Sequence, residues 1–531
     1  MAKSTPNQTA QSGNIHKLEI FSNKNGKSAD IGPGVVVCDY FESILDSSVR
    51  FSIIVADSGH SDAGGETTTV LHELKLSGSE KVHLTIEDNL GNKLKFADDN
   101  ALYISEIRNI LSSSESTIYQ LDLCSLEIIA NDFSATTVYR RFNGEISQSA
   151  EIIFKDILKT KKSVILDATA NTFNFNGQGK KPFRLLAEIA TKGVSQASKN
   201  SAGYLVYETY EGFNFRSIDG LFDDAGDYKS FIYNSSTDLP TGYDAKILDY
   251  VAENTINVKK NLESGGYGSK LETFDTYSHI FNTKAQEIDT EEQKVHGGIE
   301  VPKLAKDFLE LFGVDGGLVS RTFSKIDSKG ELPDGGITEQ VEKATESNLT
   351  LEDVIVQSSM TYNKLFTLNI EITIPGDYSL RAGQIVYCDI PEQSSKKEGT
   401  PDQELSGLYI ISDVCTHLTP RNTYTKMHLI RDSYGRQPNK SSSSTPTGNR
   451  ATGLTGNTGR ALPGTGSVNP FSQSEIERYV QEEKDLVSRL NTPSSDDSQT
   501  IDRTRYSNTD VDLDPGYDDP NFNPDDYLEL S

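Results

Sequence analysis

The sequence predicts a mainly β chain that carries a small α+β insert, and three observations lead there. Short runs with strand character, HKLEIF, VRFSIIVA, LHELKLS, EKVHLTIED and IYQLDLCSLEIIA, fill residues 15–131 between clusters of Gly, Ser, Asn and Asp. Helical spacing appears between residues 139 and 222, where two helix-like segments precede one alternating hairpin. A second β-rich stretch follows, its clearest strands being KLFTLNIEITI, QIVYCDI, GLYIISDV and YTKMHLIRDS.

Taken in order, residues 1–14 show no periodic pattern and read as a flexible N-terminus. Residues 15–138 form the first β domain, because many short strands with turns between them suit a barrel or sandwich. Asp88-Asn89-Leu90-Gly91-Asn92 lies between two alternating runs and predicts a hairpin.

Residues 139–222 read as an α/β module of two helices and a hairpin. Ser147 or Ser149 is expected to cap a helix whose Ile152, Ile153, Ile157 and Leu158 share a face. A second helix starts at Pro182, a residue suited to a first turn, with Phe183, Leu186, Ile189, Ala190 and Val194 on one side. In SAGYLVYETYEGFNFRSI, period-two alternation puts Tyr204, Val206 and Glu208 on one face and Leu205, Tyr207 and Thr209 on the other. Glu211-Gly212 makes the turn, and Phe213, Phe215 and Ser217 alternate on the returning arm. A packed core is the first expectation for this aromatic hairpin, and a protein contact surface is the alternative.

Residues 223–436 form the second β domain, with a helical or irregular insert near 286–346 and a turn at Ile374-Pro375-Gly376-Asp377. Residues 437–471 are a Gly/Ser/Thr/Pro linker. A capping-box pattern at Ser472 and Glu475 predicts a helix over 472–490, and the acidic segment 491–531, with a few aromatic anchors, is expected to be disordered.

Composition narrows the function classes. The chain has 531 residues, room for three or four domains at about 150 residues each. It carries 78 acidic against 51 basic residues, a net charge of -27, so its field repels nucleic acid and anionic membranes. Cys38, Cys124, Cys388 and Cys415 are far apart and sit in apolar runs, the setting of buried free thiols. The first residues lack the apolar core of a secretion signal, and no stretch reaches the ~20 apolar residues that cross a bilayer, so the protein is expected to stay soluble in the cytosol that makes it.

Motifs for chemistry are weak. The eight histidines, His16, His60, His72, His83, His279, His296, His417 and His428, never take a tight metal-ligand spacing. Gly265-Gly266-Tyr267-Gly268-Ser269-Lys270 is glycine-rich but lacks the Gly-Lys-Ser/Thr ending of a phosphate loop, so it reads as a turn. Asp510-Val511-Asp512-Leu513-Asp514 starts like a calcium loop, yet Pro515 stands where glycine is required and Asn521 where a glutamate belongs. No spacing singles out a pair of carboxylates for glycoside hydrolysis.

Several blocks carry a family resemblance. Lys181 to Phe222, KPFRLLAEIATKGVSQASKNSAGYLVYETYEGFNFRSIDGLF, resembles a stretch of the central baseplate hub proteins of contractile-tailed bacteriophages. YRRFNGEISQSAEIIFKDIL, NLESGGYGSKLETFDTYS, IEITIPGDYSLRAGQIVYCDIP and LSGLYIISDVCTHLTPRNTYTKMHLIRDSYG are similar to further blocks of that family, in the same order over most of 139–435. The first hundred or so residues match it in strand character, and nothing after Arg436 does.

The resemblance implies a homotrimer in which each subunit supplies two tube-like β-barrel domains, so that six barrels match a six-fold tail tube to a three-fold spike. Implied partners are the spike protein, the tail tube or a tube-initiator protein, and other baseplate components reached through the C-terminal tail. DNA would pass as cargo through a channel whose acidic wall does not hold it. The protein would sit in the virion baseplate after assembly in the host cytoplasm, with no membrane insertion and with no catalytic, cofactor-binding or metal residues. A tail-associated peptidoglycan-cleaving enzyme and a receptor-binding adhesive β protein are the alternatives.

Overall fold

Alternation of buried apolar with more exposed, mostly polar side chains sets most strands of the first β region, while a strand such as Ile385–Asp389 is buried on both faces. A computed structural model describes residues 12–437, apart from 62–66, 113–116, 199–200, 224–227, 235–238, 255–256, 276–278, 288–295, most of 301–318, most of 327–350, and 393–400. The helix expected over 472–490, the acidic segment and nearly all of the linker lie outside the described residues.

In the first β region the strands Val35–Ser43, Arg50–Asp57, Thr117–Ser125, Leu102–Ser112, Lys81–Glu87 and Asn14–Phe21 pair in that spatial order. Every second residue enters one core, where the rings of Tyr40, Phe51 and Phe96 meet at centroid distances of 4.6–5.6 Å. The expected hairpin is present: Lys81–Glu87 pairs with Lys93–Phe96, and Asp88 Oδ1 accepts the Leu90 and Asn92 amides at 2.8 Å each. Gly91 supplies the positive φ of 87° that this turn needs.

Two runs read as strands are partly helical. LHELKLS supplies all but the first residue of the helix Val70–Leu74, whose Val70, Leu71 and Leu74 share a side against the core and whose end is set by Lys75 at φ 50°. The strand in IYQLDLCSLEIIA stops at Ser125, and Leu126–Asn131 turns helical. Both segments are apolar enough to serve either state, and packing decides.

In the α/β module the helix Ile146–Ile152 runs on into a π-helical turn, Ile153–Ile157, and Pro182–Ala190 forms the second helix with proline in its first turn. The residue before the first helix is Glu145, not a serine. Ser147 and Ser149 lie within the first turn, where Ser149 bonds back to the Glu145 carbonyl and Ser147 bonds to Thr169. The wide turn shifts the apolar face, so that Ile146, Ala150, Ile153 and Phe154 are fully buried while Ile152 and Ile157 are only partly so. Val194 lies beyond the second helix but is buried in a small cluster of its own.

The hairpin is formed by Tyr204–Thr209 and Gly212–Ser217, joined by Tyr210 and Glu211, one residue earlier than expected. Val164–Leu166 adds a third, parallel strand against Gly212–Ser217. Both hairpin faces are largely buried within this chain, as a packed core requires.

In the second β region Leu368–Pro375 pairs with Thr423–Arg431, which pairs with Gly407–Leu418, then Ile385–Asp389, then Lys229–Tyr233, then Ala245–Ile247. Beyond Ala245–Ile247, the Leu248 amide donates to the Thr373 carbonyl at 2.8 Å and Asp249–Asn254 pairs back onto Leu368–Pro375. Phe231, Ile247, Ile370, Ile372, Cys388, Tyr409, Met427 and Leu429 form the core these strands surround. Lys364 and Leu365 end the helix Leu351–Leu365 instead of opening a strand, and Pro375 closes a strand instead of entering a turn. The insert near 286–346 contains a strand, Arg321–Ile326, which pairs with Gly268–Asp275, itself paired with Ile280–Glu287.

The two β regions share one ladder: Val35–Ser43 pairs with Gly407–Leu418, from Cys38 opposite Leu418 to Ser43 opposite Asp413. The architecture is therefore mainly β with helices, and its two β regions are joined by backbone hydrogen bonds.

Candidate functional site

The hairpin tip is where the first β region, the α/β module and the second β region meet. Tyr210, in the two-residue connection, donates its amide to Glu42 Oε1 at 2.8 Å, and Glu42 stands on Val35–Ser43 of the first region. The other Glu42 oxygen accepts the Ala382 amide of the second region at 2.9 Å, and the Tyr40 hydroxyl donates to Oε1 at 2.5 Å. The Tyr210 ring packs edge-on against Phe96 at 5.2 Å and lies under the Arg381 guanidinium at 4.9 Å. Burial pushes the Glu42 carboxyl up, with Arg381 as the main opposing influence. Its three neutral hydrogen-bond partners are all donors, which suits the ionised form.

On the hairpin's inner face Glu208 meets Lys162 at 2.5 Å, and Lys162 also lies 3.1 Å from Glu127; each side chain is at most 4% exposed. Glu208 further accepts the Ser125 hydroxyl at 2.6 Å and the Val49 amide at 3.0 Å, both from the first β region. Burial is the largest single influence on Lys162 and pulls its pKa down, but the charges and hydrogen bonds of Glu208 and Glu127 outweigh it and hold the ammonium protonated. Three segments distant in sequence are thus pinned by one buried cation.

A third buried cluster fastens the second region. His296 Nε2 lies 2.6 Å from Asp219 Oδ1 and Nδ1 lies 2.9 Å from Asp432 Oδ2, with the Phe222 ring stacked on the imidazole at 4.8 Å. Burial lowers the imidazole pKa, yet the two carboxylates together raise it to about 9. Both ring nitrogens are taken, so the ring holds its proton at neutral pH and has no free nitrogen to act as a base.

The arrangement locks segments together. Among the described residues no group of three or more His, Cys, Asp or Glu is placed to hold a metal. Of Gly265 to Lys270, expected to be a turn, Gly265, Gly266 and Tyr267 lie between the helix Val258–Glu263 and the strand Gly268–Asp275, with Gly265 at φ 75°, whereas Gly268, Ser269 and Lys270 open that strand. The Asp510 segment lies outside the described residues. Cys38, Cys124, Cys388 and Cys415 are free thiols, Cys415 being half-buried, and burial pushes Cys124 up to about 11 and Cys415 to about 12. Among the described residues no helix is long and apolar enough to cross a membrane.

Sequence reasoning missed Glu42, Lys162, Arg381 and the His296 cluster. One signal was readable: alternation puts the carboxylate of Glu208 on the same face as Tyr204 and Val206, and a charge on an apolar face demands a buried partner.

No family model and no curated protein matches the chain. Among solved structures it is similar to a tail protein from Neisseria meningitidis MC58, with 11% identity and a TM-score of 0.45 over 79% of this chain and 97% of that one. It is also similar to the 43 kDa tail protein of prophage MuSo2 from Shewanella oneidensis, with 11% identity and a TM-score of 0.42 over 79% of this chain and 99% of that one. A third likeness is to the E. coli c3393 protein, described as a type VI secretion component with structural similarity to T4 bacteriophage tail proteins gp27 and gp5, at 11% identity and a TM-score of 0.37 over 80% of each chain. With TM-scores below one half, these likenesses assign no role to any residue.

Proposed function

We propose that this protein is a structural hub of a phage-tail baseplate, a homotrimeric adaptor that joins a six-fold tail tube to a three-fold spike and leaves a channel for DNA. The observation that carries the reading is the junction at Tyr210. A shared ladder and two buried carboxylates tie two β regions and the hairpin into one stiff body, which is what transmitting symmetry and load demands. The sequence blocks that resemble hub proteins run through that junction.

In this reading each β region is one tube-like barrel. The return of Asp249–Asn254 onto Leu368–Pro375 supports that for the second region. Flat faces and strand edges of the two regions bury patches of about 800 Å² per partner between subunits. The spike, the tail tube or a tube initiator, and further baseplate proteins reached through the C-terminal segment are the partners, in a virion assembled in the host cytoplasm.

Sedimentation tests this. The purified chain should run at three times its 58.4 kDa or, where it is monomeric alone, should join added spike protein in a heavier complex that holds three copies of it. A monomer under both conditions overturns the trimeric hub.

A further inference from the structure

Among the described residues Thr423–Arg431 is the last strand in the chain, and it is paired on both sides, with Leu368–Pro375 and with Gly407–Leu418. Residues 438–531 follow it in sequence, so a pull on them reaches this strand through residues 432–437. A strand pulled at its end opens one ladder bond at a time, and each bond alone is weak.

Residues 432–437 are fastened against such peeling at two separate places. Along the segment His296–Glu300, the Asp432 carboxylate accepts the His296 and Gly297 amides at 3.2 and 3.1 Å, and Ser433 Oγ accepts the Gly298 amide at 2.8 Å. The Tyr434 amide donates to the Glu300 carbonyl at 2.7 Å, and the Tyr434 carbonyl accepts the Ile299 and Glu300 amides at 2.6 and 2.9 Å. Gln437 Nε2 returns to the same segment, donating to the Gly298 carbonyl at 2.6 Å.

The second fastening is an ion pair. Arg436 grips Asp389 with two prongs, Nε to Oδ1 at 3.1 Å and Nη2 to Oδ2 at 3.2 Å. Asp389 ends the strand Ile385–Asp389, its side chain is only 3% exposed, and it also accepts the Tyr243 hydroxyl. Parting this pair would strand a carboxylate in a site that excludes water, so the bond resists being opened. The bonds to His296–Glu300 and to Asp389 share a load, whereas ladder bonds at a strand end take it in turn.

We propose that residues 432–437 are a force-bearing clasp, through which a partner bound to the C-terminal segment can pull on the molecule without stripping Thr423–Arg431 from its core. The use of the clasp rests on the reading that this segment reaches a partner.

The test is a pulling experiment on the full chain in optical tweezers, with one handle at the C-terminus and the other on p-azidophenylalanine in place of Tyr139, which is 73% exposed. In the native chain the second β region should open in one event with no shorter step before it. In Arg436→Gln, with folding checked by circular dichroism, a step of about 20 Å, the length of six extended residues, should come first and at about half the native force. Should that variant fail to fold, Gln437→Ala, which keeps the ion pair, decides by opening at a lower force than the native chain. The proposal is overturned by the 20 Å step appearing at low force in the native chain, or by the variant opening at the native force with no step before it. Neither result depends on subunit number, so sedimentation can refute the trimeric hub while the clasp stands, and the reverse.

Discussion

Lys161 and Lys162 are chain neighbours in the α/β module, one at the surface of the molecule and the other in its interior. Lys161 reaches Asp99 across the surface at 3.1 Å, with the two side chains 74% and 66% exposed. Lys162 turns inward, where Glu127 and Glu208 surround it and water is excluded. Both pairs link the α/β module to the first β region, at similar distances. What differs is the medium: desolvation multiplies the consequence of losing a partner, so the inner pair governs whether the regions stay joined and the outer one barely contributes.

The sharpest break of that comparison is Lys162→Met, which leaves two carboxylates facing each other in a dry site. Urea unfolding should show a loss of about 3–5 kcal/mol, the usual result of stranding a buried charge. A loss under about 1 kcal/mol would mean that the junction relaxes to admit water, and the claim of a stiff body would go with it.

The His296 cluster tests the same principle through pH. Its folded pKa of about 9 lies above the ordinary 6.5, so its contribution is complete below pH 6.5 and disappears as pH rises to about 9. Burial opposes the charged forms of Asp219 and Asp432, but His296 outweighs it and holds both carboxyls below the usual range, so their contribution is lost only as pH falls in the acid range. Lys364, lowered by burial to about 8 with Asp432 opposing, has the reverse sign: the cost of burying its charge fades between pH 8 and 10.5. Comparing the native chain with His296→Gln removes the shared Lys364 effect. The native chain's advantage should shrink by roughly 3 kcal/mol between pH 6 and pH 10. A difference independent of pH would show that the ring is neutral in the folded protein.

How much of this was legible in the sequence follows from the same distinction. The apolar cores are written as repeated alternation, so runs such as EKVHLTIED and QIVYCDI place strands Lys81–Glu87 and Ile385–Asp389 directly. Pairing between distant segments leaves no periodic trace, and so the ladder from Val35–Ser43 to Gly407–Leu418 could not be read. Single buried charges are equally silent: Glu42 in VVVCDYFES and Lys162 in KTKKS resemble any surface residue until a partner 340 residues away or a neighbouring fold supplies the reason. Short apolar segments such as VLHEL and LEIIAN fit either secondary structure, and tertiary contact chose helix.

The smallest expected effect completes the comparison. Lys161→Ala removes the exposed partner of Asp99 and should change stability by no more than about 0.5 kcal/mol, since water already solvates both charges and salt screens them. Asp99 remains solvated when Lys161 is gone, so no buried group is left unpaired. Raising the salt to 0.5 M should erase what difference exists while leaving the Lys162→Met loss nearly unchanged. If Lys161→Ala proved as costly as Lys162→Met, the two regions would be held together from the outside, and the buried carboxylates around Tyr210 would be passengers of the fold instead of its fasteners.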